Sequence, residues 1–245
     1  MRLLIFGGTT EGRLLAERAS ALGAAVTVSV ATPLGAEELA GLSGVEVLSG
    51  RLASEAVEAL LLGFDRCVDA THPYAEHITA TVEAACGRTG TPLRRLLRPA
   101  SAAAEEVAFR VGSCAEAAAF LAGKEGNILL ATGSKELPAF RELDPARLIV
   151  RVLPAHEGLA ACEALGIPHR NILALQGPFT RKMNEAMLEQ YHISWLVTKD
   201  GGDPGGFREK MEAARNTGAQ LVLVERPAGG GGSWEEILRW IEEAL

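Results

Sequence analysis

Short apolar runs, each closed by glycine or proline and followed by an amphipathic run at helical spacing, recur along the whole 245-residue chain. The first is Leu3-Leu4-Ile5-Phe6, which runs into Gly7-Gly8-Thr9-Thr10-Glu11-Gly12-Arg13 and then into Leu14, Leu15, Ala16, Ala19 and Leu22. A run too short for a helix, a turn of permissive residues and a 3.6-residue period read together as strand, glycine turn and helix start. Alternation of this kind throughout a chain predicts an α/β fold of mainly parallel sheets with helices on both faces.

The strands expected next are Ala25–Val30, Val45–Leu48 and Arg66–Asp69, with helices over Leu34–Leu42 and Ser54–Leu62 between them. Asp69-Ala70-Thr71-His72-Pro73-Tyr74-Ala75 then forms a strand end, with proline just inside a helix that runs to about Arg88. Pro92–Pro99 reads as a strand carrying three arginines, of which Arg94 and Arg98 share parity while Arg95 points the other way. The softer stretch Ala100–Glu106 marks a boundary, so two Rossmann-like lobes are expected over residues 1–104 and 105–245. A ligand cleft between the lobes, and terminal strands exchanged between them, are part of this expectation.

In the second half Asn127–Ala131 ends in Thr132-Gly133-Ser134-Lys135, a second strand-glycine-helix junction suited to an anion. Leu148–Leu153 carries Arg151, and Asn171–Leu175 ends in Gln176-Gly177-Pro178-Phe179-Thr180, with Arg181 and Lys182 beyond. Trp195–Val197 enters a loop with four glycines, Thr198-Lys199-Asp200-Gly201-Gly202-Asp203-Pro204-Gly205-Gly206. One or two glycines suffice for a turn, so this density points to a backbone that a ligand approaches closely.

The net charge of −7 opposes general nucleic-acid binding. An anionic small molecule then requires that cations gather locally, and Arg13, Arg98, Lys135, Arg151, Lys182 and Lys199 all fall at strand ends. The end of the second strand, Ser29-Val30-Ala31-Thr32, lacks the carboxylate that binds an NAD ribose, which favours NADPH over NADH. Cys67, Cys86, Cys114 and Cys162 are scattered, so no metal site is expected, and no apolar run reaches membrane length; a cytoplasmic protein is expected. Nucleophile-elbow, phosphate-loop and zinc-helix motifs are missing, which removes the usual support for hydrolase, kinase and metalloprotease activities.

Gly7–Arg13, Asp69–Ala75, Arg95–Pro99, Arg151–Pro154, Gln176–Phe179 and Thr198–Asp200 with Gly205-Gly206 resemble, in order and spacing, the motifs of the precorrin-6A reductase family. The resemblance implies reduction of one ring double bond of precorrin-6A, or its cobalt counterpart, by a reduced nicotinamide nucleotide in cobalamin biosynthesis. The substrate implied is an anionic tetrapyrrole-derived molecule. Carried over residue by residue, the resemblance lines the cleft with Gly8, Thr9, Thr71, Lys135, Gln176, Gly177, Lys199, Asp200 and Gly206, and these, with Gly133 and Ser134 of the second glycine junction, are assigned to the cofactor. Glu11, Arg13, Arg98, Arg151 and Lys182 fall to the substrate, and His72 and Tyr74 are the candidate proton donors. One departure is Gly201-Gly202, where the family has Ser-Gly. A nucleotide-sugar epimerase or short-chain dehydrogenase is the nearest rival, but its Tyr-x-x-x-Lys pair is missing, since Ile78 follows Tyr74 and Trp195 follows Tyr191. A non-catalytic two-lobed nucleotide sensor is the alternative outside enzymes.

Overall fold

The computed structural model describes residues 1–97, 101–202, 205–227 and 229–245, and of residue 102 only the backbone. The chain divides into two units, Met1–Pro99 with Ala228–Leu245, and Ala100–Pro227. The first begins β1 (Arg2–Phe6), α1 (Thr10–Ala21), β2 (Ala25–Val30), α2 (Pro33–Glu37), β3 (Val45–Ser49), α3 (Ser54–Leu61), β4 (Arg66–Asp69), α4 (Glu76–Thr89) and β5 (Leu93–Arg95). Its five strands are parallel in the order β3-β2-β1-β4-β5, with Phe6 level with both Ser29 and Asp69, so the carboxyl ends share one edge.

The second unit contains β6 (Phe109–Val111), α5 (Cys114–Ala122), β7 (Asn127–Ala131), β8 (Leu148–Val152), α6 (His156–Ala164), β9 (Ile172–Ala174), α7 (Arg181–Gln190), β10 (Ile193–Lys199), α8 (Phe207–Thr217) and β11 (Gln220–Val224). Its six strands are also parallel, in the order β6-β11-β10-β7-β8-β9. The chain then returns to the first unit as α9 (Trp234–Glu242).

Period-two alternation sorts the first sheet's side chains. Leu3, Ile5, Val26, Val28 and Val68 meet Leu15, Ala16 and Ala19 of α1 on one face. Leu4, Phe6 and Cys67 meet Val57 and Leu61 of α3 and Val82, Ala85 and Cys86 of α4 on the other. On the α1 face, Val68 of β4 and Leu96 beyond β5 share their core with Ile237 and Ile241 of α9. A capping box, Ser233 with Glu236, starts α9. The division expected at residue 104, with terminal strands exchanged, falls instead after Pro99, and the first unit takes back the chain from Ala228. The exchanged element is a helix, because β4 and β5 need cover on a face that α1 and α2 leave open.

The boundary itself lies upstream of the alanine-rich stretch. Residues Ala102–Glu106 form a 3-10 turn, and Ala103, Ala104 and Val107 pack with Leu129, Ile149 and Phe207 in the second unit's core. The junction after β7 also differs from expectation. Ser134–Phe140 is a 3-10 helix with Pro138 inside it, since proline cannot donate into a continuing helix ladder. The described part of the expected Pro92–Pro99 strand shortens to Leu93–Arg95 plus one bridge from Leu96 to Gly232.

Candidate active site

Strand order places the glycine junction after β1 and the Thr71-His72-Pro73-Tyr74 junction after β4 at a topological switch point. From β1 the chain winds outward through β2 to β3, whereas β4 lies on the other side of β1. The loops leaving β1 and β4 thus flank the crevice where open parallel sheets bind ligands. Gly7 must be glycine for packing, because a Cβ there would stand 2.8 Å from Val28 Cγ1. Gly8 has φ +119° and open space around it, so its backbone faces an approaching ligand. Thr9 caps α1: its hydroxyl accepts from the Gly12 N–H at 3.0 Å and donates to the Ala70 carbonyl at 2.8 Å. That hydroxyl joins β1 to β4, and its donor is occupied.

Glu11 and Arg13 are half-buried on the first turn of α1, and Arg13 lies 3.6 Å from Glu17. Arg13, Gly8 and Thr9 line a small crevice with Val30, Gly35 and Glu38. Glu38 was missed by motif reasoning. It follows α2 rather than a strand, so only the fold brings its carboxylate beside the glycine turn.

Across the switch point, Asp69 is buried at the end of β4 and gathers the following loop around itself. It accepts from the Thr71 N–H at 3.0 Å, the Thr71 hydroxyl at 2.6 Å and the Thr79 hydroxyl at 2.7 Å. Arg95 lies opposite, with Nε 3.5 Å from Asp69 Oδ2 and Nη2 donating to the Pro73 carbonyl at 3.4 Å. Arg95 is a second residue absent from the expected site. The parity of the three-arginine strand held the signal, since Arg94 turns to the other side, 5.7 Å from the Trp240 ring centroid. Arg98 lies outside the described residues.

The loop so braced presents His72 and Tyr74 together, half-buried, with ring centroids 5.5 Å apart and planes 31° from parallel. The Tyr74 N–H donates to His72 Nδ1 at 3.4 Å, and the His72 carbonyl accepts from the Ala75 N–H. Nδ1 is the acceptor in that bond, so the proton of a neutral ring would sit on Nε2. Two proton-bearing side chains therefore stand side by side at a ligand-binding edge.

In the second unit the switch point lies between β7 and β10. Thr132, Gly133, Ser134 and Lys135 leave β7; Gly133 has φ +91°, and Lys135 is exposed. Lys199 at the end of β10 pairs with Glu136 at 2.6 Å. Asp200 is buried and accepts from the Ser101 N–H at 3.2 Å and the Gly202 N–H at 2.8 Å, with Arg226 Nη2 3.3 Å away. Its carboxylate braces the start of the glycine loop at Gly202. Gly206, with φ +66°, caps α8.

One strand further along, Arg151 is buried at 7% exposure near the end of β8. Its Nη1 donates to Asn184 Oδ1 at 2.8 Å, and its guanidinium carbon stands 4.4 Å from the Phe179 ring centroid. Burial pulls it down to about 10. Thr180 caps α7 and the Asn184 amide donates to the Phe179 and Thr180 carbonyls, so the turn carrying Gln176 and Gly177 is tied to the arginine's support. Gln176, Gly177 and Lys182 are exposed. Lys210 of α8 also belongs here: its Nζ donates to the Gly205 carbonyl at 2.9 Å, and burial and the nearby Arg151 charge push it down to about 8. Nothing in the sequence marked it, because it reads as one more cation on an amphipathic helix.

Among known proteins, residues 2–242 match the family model described as precorrin-6x reductase CbiJ/CobK. A cobalt-precorrin-6A reductase from Priestia megaterium is 36% identical over 231 residues, 92% of this chain and 90% of the relative. A precorrin-6A reductase from Mycobacterium tuberculosis strain H37Rv is 35% identical over 235 residues, 92% and 89% of the two chains. The solved structure of a CobK precorrin-6A reductase superposes with a TM-score of 0.78 at 26% identity, covering 99% of this chain and 97% of that one. The family match over residues 2–242 and relatives at 35–36% identity over 92% of the chain show that the chain belongs to the precorrin-6x reductase family.

Proposed function

We propose that this protein reduces a ring double bond of precorrin-6A, or of its cobalt-containing counterpart, to give the precorrin-6B level of reduction, with NADPH as hydride donor. The observation that carries the reading is the family match over residues 2–242, with family motifs falling at the carboxyl edges of two parallel sheets. Bound NADPH supplies the hydride, and the protein supplies binding, alignment and a proton.

The residues present fit a nucleotide. Gly8 offers exposed backbone at the start of α1, where first-turn N–H groups and the helix dipole favour a pyrophosphate. Thr9 and Thr71 hold that edge in shape, and Gly133, Ser134, Lys135, Gln176, Gly177, Lys199, Asp200 and Gly206 are the second unit's proposed contributions. The end of β2 lacks a carboxylate, which supports NADPH; Glu38 in the same crevice makes comparison with NADH the direct test.

Glu11, Arg13, Arg98, Arg151 and Lys182 are assigned to the substrate. A precorrin bears several acetate and propionate carboxylates, which suits localised cations on a chain of net charge −7. Hydride addition to one ring carbon requires a proton at its neighbour, and Tyr74 Oη or His72 Nε2 is the proposed donor. Anaerobic incubation with precorrin-6A and either reduced nucleotide, following the macrocycle spectrum, tests the reading. A spectral change faster with NADPH is expected; folded protein that changes nothing with either nucleotide overturns it.

A further inference from the structure

At the carboxyl ends of β7 and β10, two neighbouring strands deliver a buried hydroxyl and a lysine side by side. The last pair of their ladder is Ala131 with Thr198, so Thr132 and Lys199 follow level with each other on one side of the sheet. Thr132 is 8% exposed, and among the described residues its buried Oγ1 has no hydrogen-bond partner. Lys199 pairs with Glu136 at 2.6 Å. The turn after Gly133 makes that pair possible: the Glu136 N–H donates to the Gly133 carbonyl at 3.3 Å, which folds the glutamate back toward the strand ends.

A hydroxyl that has left water without finding a partner is destabilising by itself, and such groups are rare. Valine would fill the same place without that cost, so packing does not call for the hydroxyl. Cys114 of α5 lies close by, but its contact with Thr132 lacks hydrogen-bond geometry. Burial, and after it the Glu136 charge, push that thiol up to about 12, so it stays neutral and a weak partner. The junction is open beside these groups: Gly133 is exposed, has φ +91°, and has nothing within 4 Å of the place a Cβ would take. β7 and β10 also bound the switch point of this sheet, the position at which open parallel sheets bind ligands. Charge then decides the kind of ligand. Glu136 already balances Lys199, so this corner favours a neutral group with both a donor and an acceptor over an oxyanion.

We propose that Thr132 and the Glu136–Lys199 pair form a neutral subsite that holds a flat, amide-like edge of the bound nucleotide. The nicotinamide carboxamide and the aminopyrimidine edge of adenine share this chemistry, since each presents an N–H donor beside an acceptor. Glu136 takes the N–H, and the Thr132 hydroxyl donates to the acceptor. No motif assigns Thr132 or Glu136, and the nucleotide itself rests on the reductase reading above. The unpartnered hydroxyl costs the ligand-free protein stability that returns when the bond is completed on binding.

The test uses the full chain as wild type, Thr132→Val and Thr132→Ser. Thermal melting without ligand reads the cost of the hydroxyl. Nucleotide fluorescence gives dissociation constants for NADPH and reduced nicotinamide mononucleotide, and calorimetry those for 2′,5′-ADP and inorganic pyrophosphate. Thr132→Val is expected to melt at or above the wild-type temperature and to bind NADPH about fivefold more weakly, the scale of one hydrogen bond. Thr132→Ser, which keeps the hydroxyl, binds as the wild type does. A loss confined to the mononucleotide identifies the carboxamide, and one confined to 2′,5′-ADP identifies adenine. Pyrophosphate, which offers only oxyanions, binds the wild type and Thr132→Val alike. The proposal is overturned if folded Thr132→Val binds NADPH as the wild type does, or if it melts lower, as for a hydroxyl engaged in the fold. It is also overturned if Thr132→Ser binds no better than Thr132→Val, if both halves of the nucleotide weaken equally, or if pyrophosphate is lost. Thr132-dependent nucleotide binding in a protein that leaves precorrin-6A unchanged would sink the reductase reading and leave the subsite standing. A wild type that reduces precorrin-6A while Thr132→Val binds NADPH unchanged would do the reverse.

Discussion

Arg95 and Asp69 stand in register on neighbouring strands, with Nε 3.5 Å from Oδ2 of a carboxylate that is 1% exposed. The pair is asymmetric. Asp69 also holds Thr71 and Thr79, whereas Arg95 reaches beyond it only to the Pro73 carbonyl. Removing the carboxylate leaves a largely buried guanidinium unpaired and two hydroxyls without their acceptor. We expect Asp69→Ala to lose about 3 kcal/mol of stability in urea denaturation, the usual scale for breaking a buried pair. Arg95→Leu leaves Asp69 its other bonds and should lose about 1 kcal/mol. Both should slow turnover more than they raise cofactor KM, because both loosen the loop carrying His72 and Tyr74. The opposite order of stabilities would show that Arg95, not Asp69, organises the loop.

Two glycines four residues apart should respond to alanine for different reasons. At Gly8 nothing blocks a Cβ, but φ +119° is unfavourable for any L side chain, so Gly8→Ala should cost about 2 kcal/mol. At Gly12 a Cβ would stand 3.1 Å from Ala70 Cβ, so α1 must shift away from the end of β4. Gly12→Ala should therefore weaken NADPH binding at a modest cost in melting temperature. Calorimetry and fluorescence titration separate the two effects.

Asn184 is the hydrogen-bonding support of Arg151 and also ties down the turn before α7. Asn184→Leu keeps the volume but leaves the buried guanidinium without its 2.8 Å acceptor. A loss of about 2 kcal/mol is expected, together with a raised KM for the tetrapyrrole. An unchanged KM in a folded variant would remove Arg151 from substrate binding.

Lys210 should also leave a signature in the ligand-free protein. Its folded state holds the proton less tightly, at about 8 against the ordinary 10.5, so the unfolded chain binds more protons in that window. Stability from this group therefore rises with pH between about 8 and 10.5. Lys210→Met should flatten that part of the melting-temperature profile. A wild-type curve that falls through the window no less steeply than the variant's would contradict this.

At Ile241, fully buried against the first core, alanine should cost about 3 kcal/mol through the cavity it leaves. The loss should appear as earlier exchange of amides in β1 and β4, with β7 and β10 protected as before. Equal loss in both sheets would mean that the two units unfold together.

Much of this architecture is legible in the chain because strands and helices advertise themselves locally. Leu3–Phe6 before Gly7, or Asn127–Ala131 before Gly133, declare both an element and its end. Thr71, His72 and Tyr74 were legible as a group for the same reason: they are neighbours in sequence at a strand end. What eluded sequence reading depends on distant pairings. Arg95 meets Asp69 because β5 lies beside β4, Glu38 lines the crevice of the glycine turn because of where α2 folds, and Lys210 reaches the Gly205 carbonyl from α8. Composition also misled at Ala102–Glu106, where alanines that look like a linker serve as close-packing core residues. Thr9 and Asp200, expected against the cofactor, have side chains engaged inside the protein.

The return of α9 to the first sheet has a consequence for biosynthesis. The second unit is one unbroken stretch of chain, so its residues have all been translated before Trp234–Glu242 leave the ribosome. Meanwhile Val68 and Leu96 await Ile237 and Ile241, an apolar cover that is translated only after the whole second unit. The unit begun first is thus the unit completed last. Ribosome-stalled chains ending before Ser233 should resist protease over residues 101–227 while remaining cleavable in the N-terminal sheet, whose cover lies beyond the second unit in the chain.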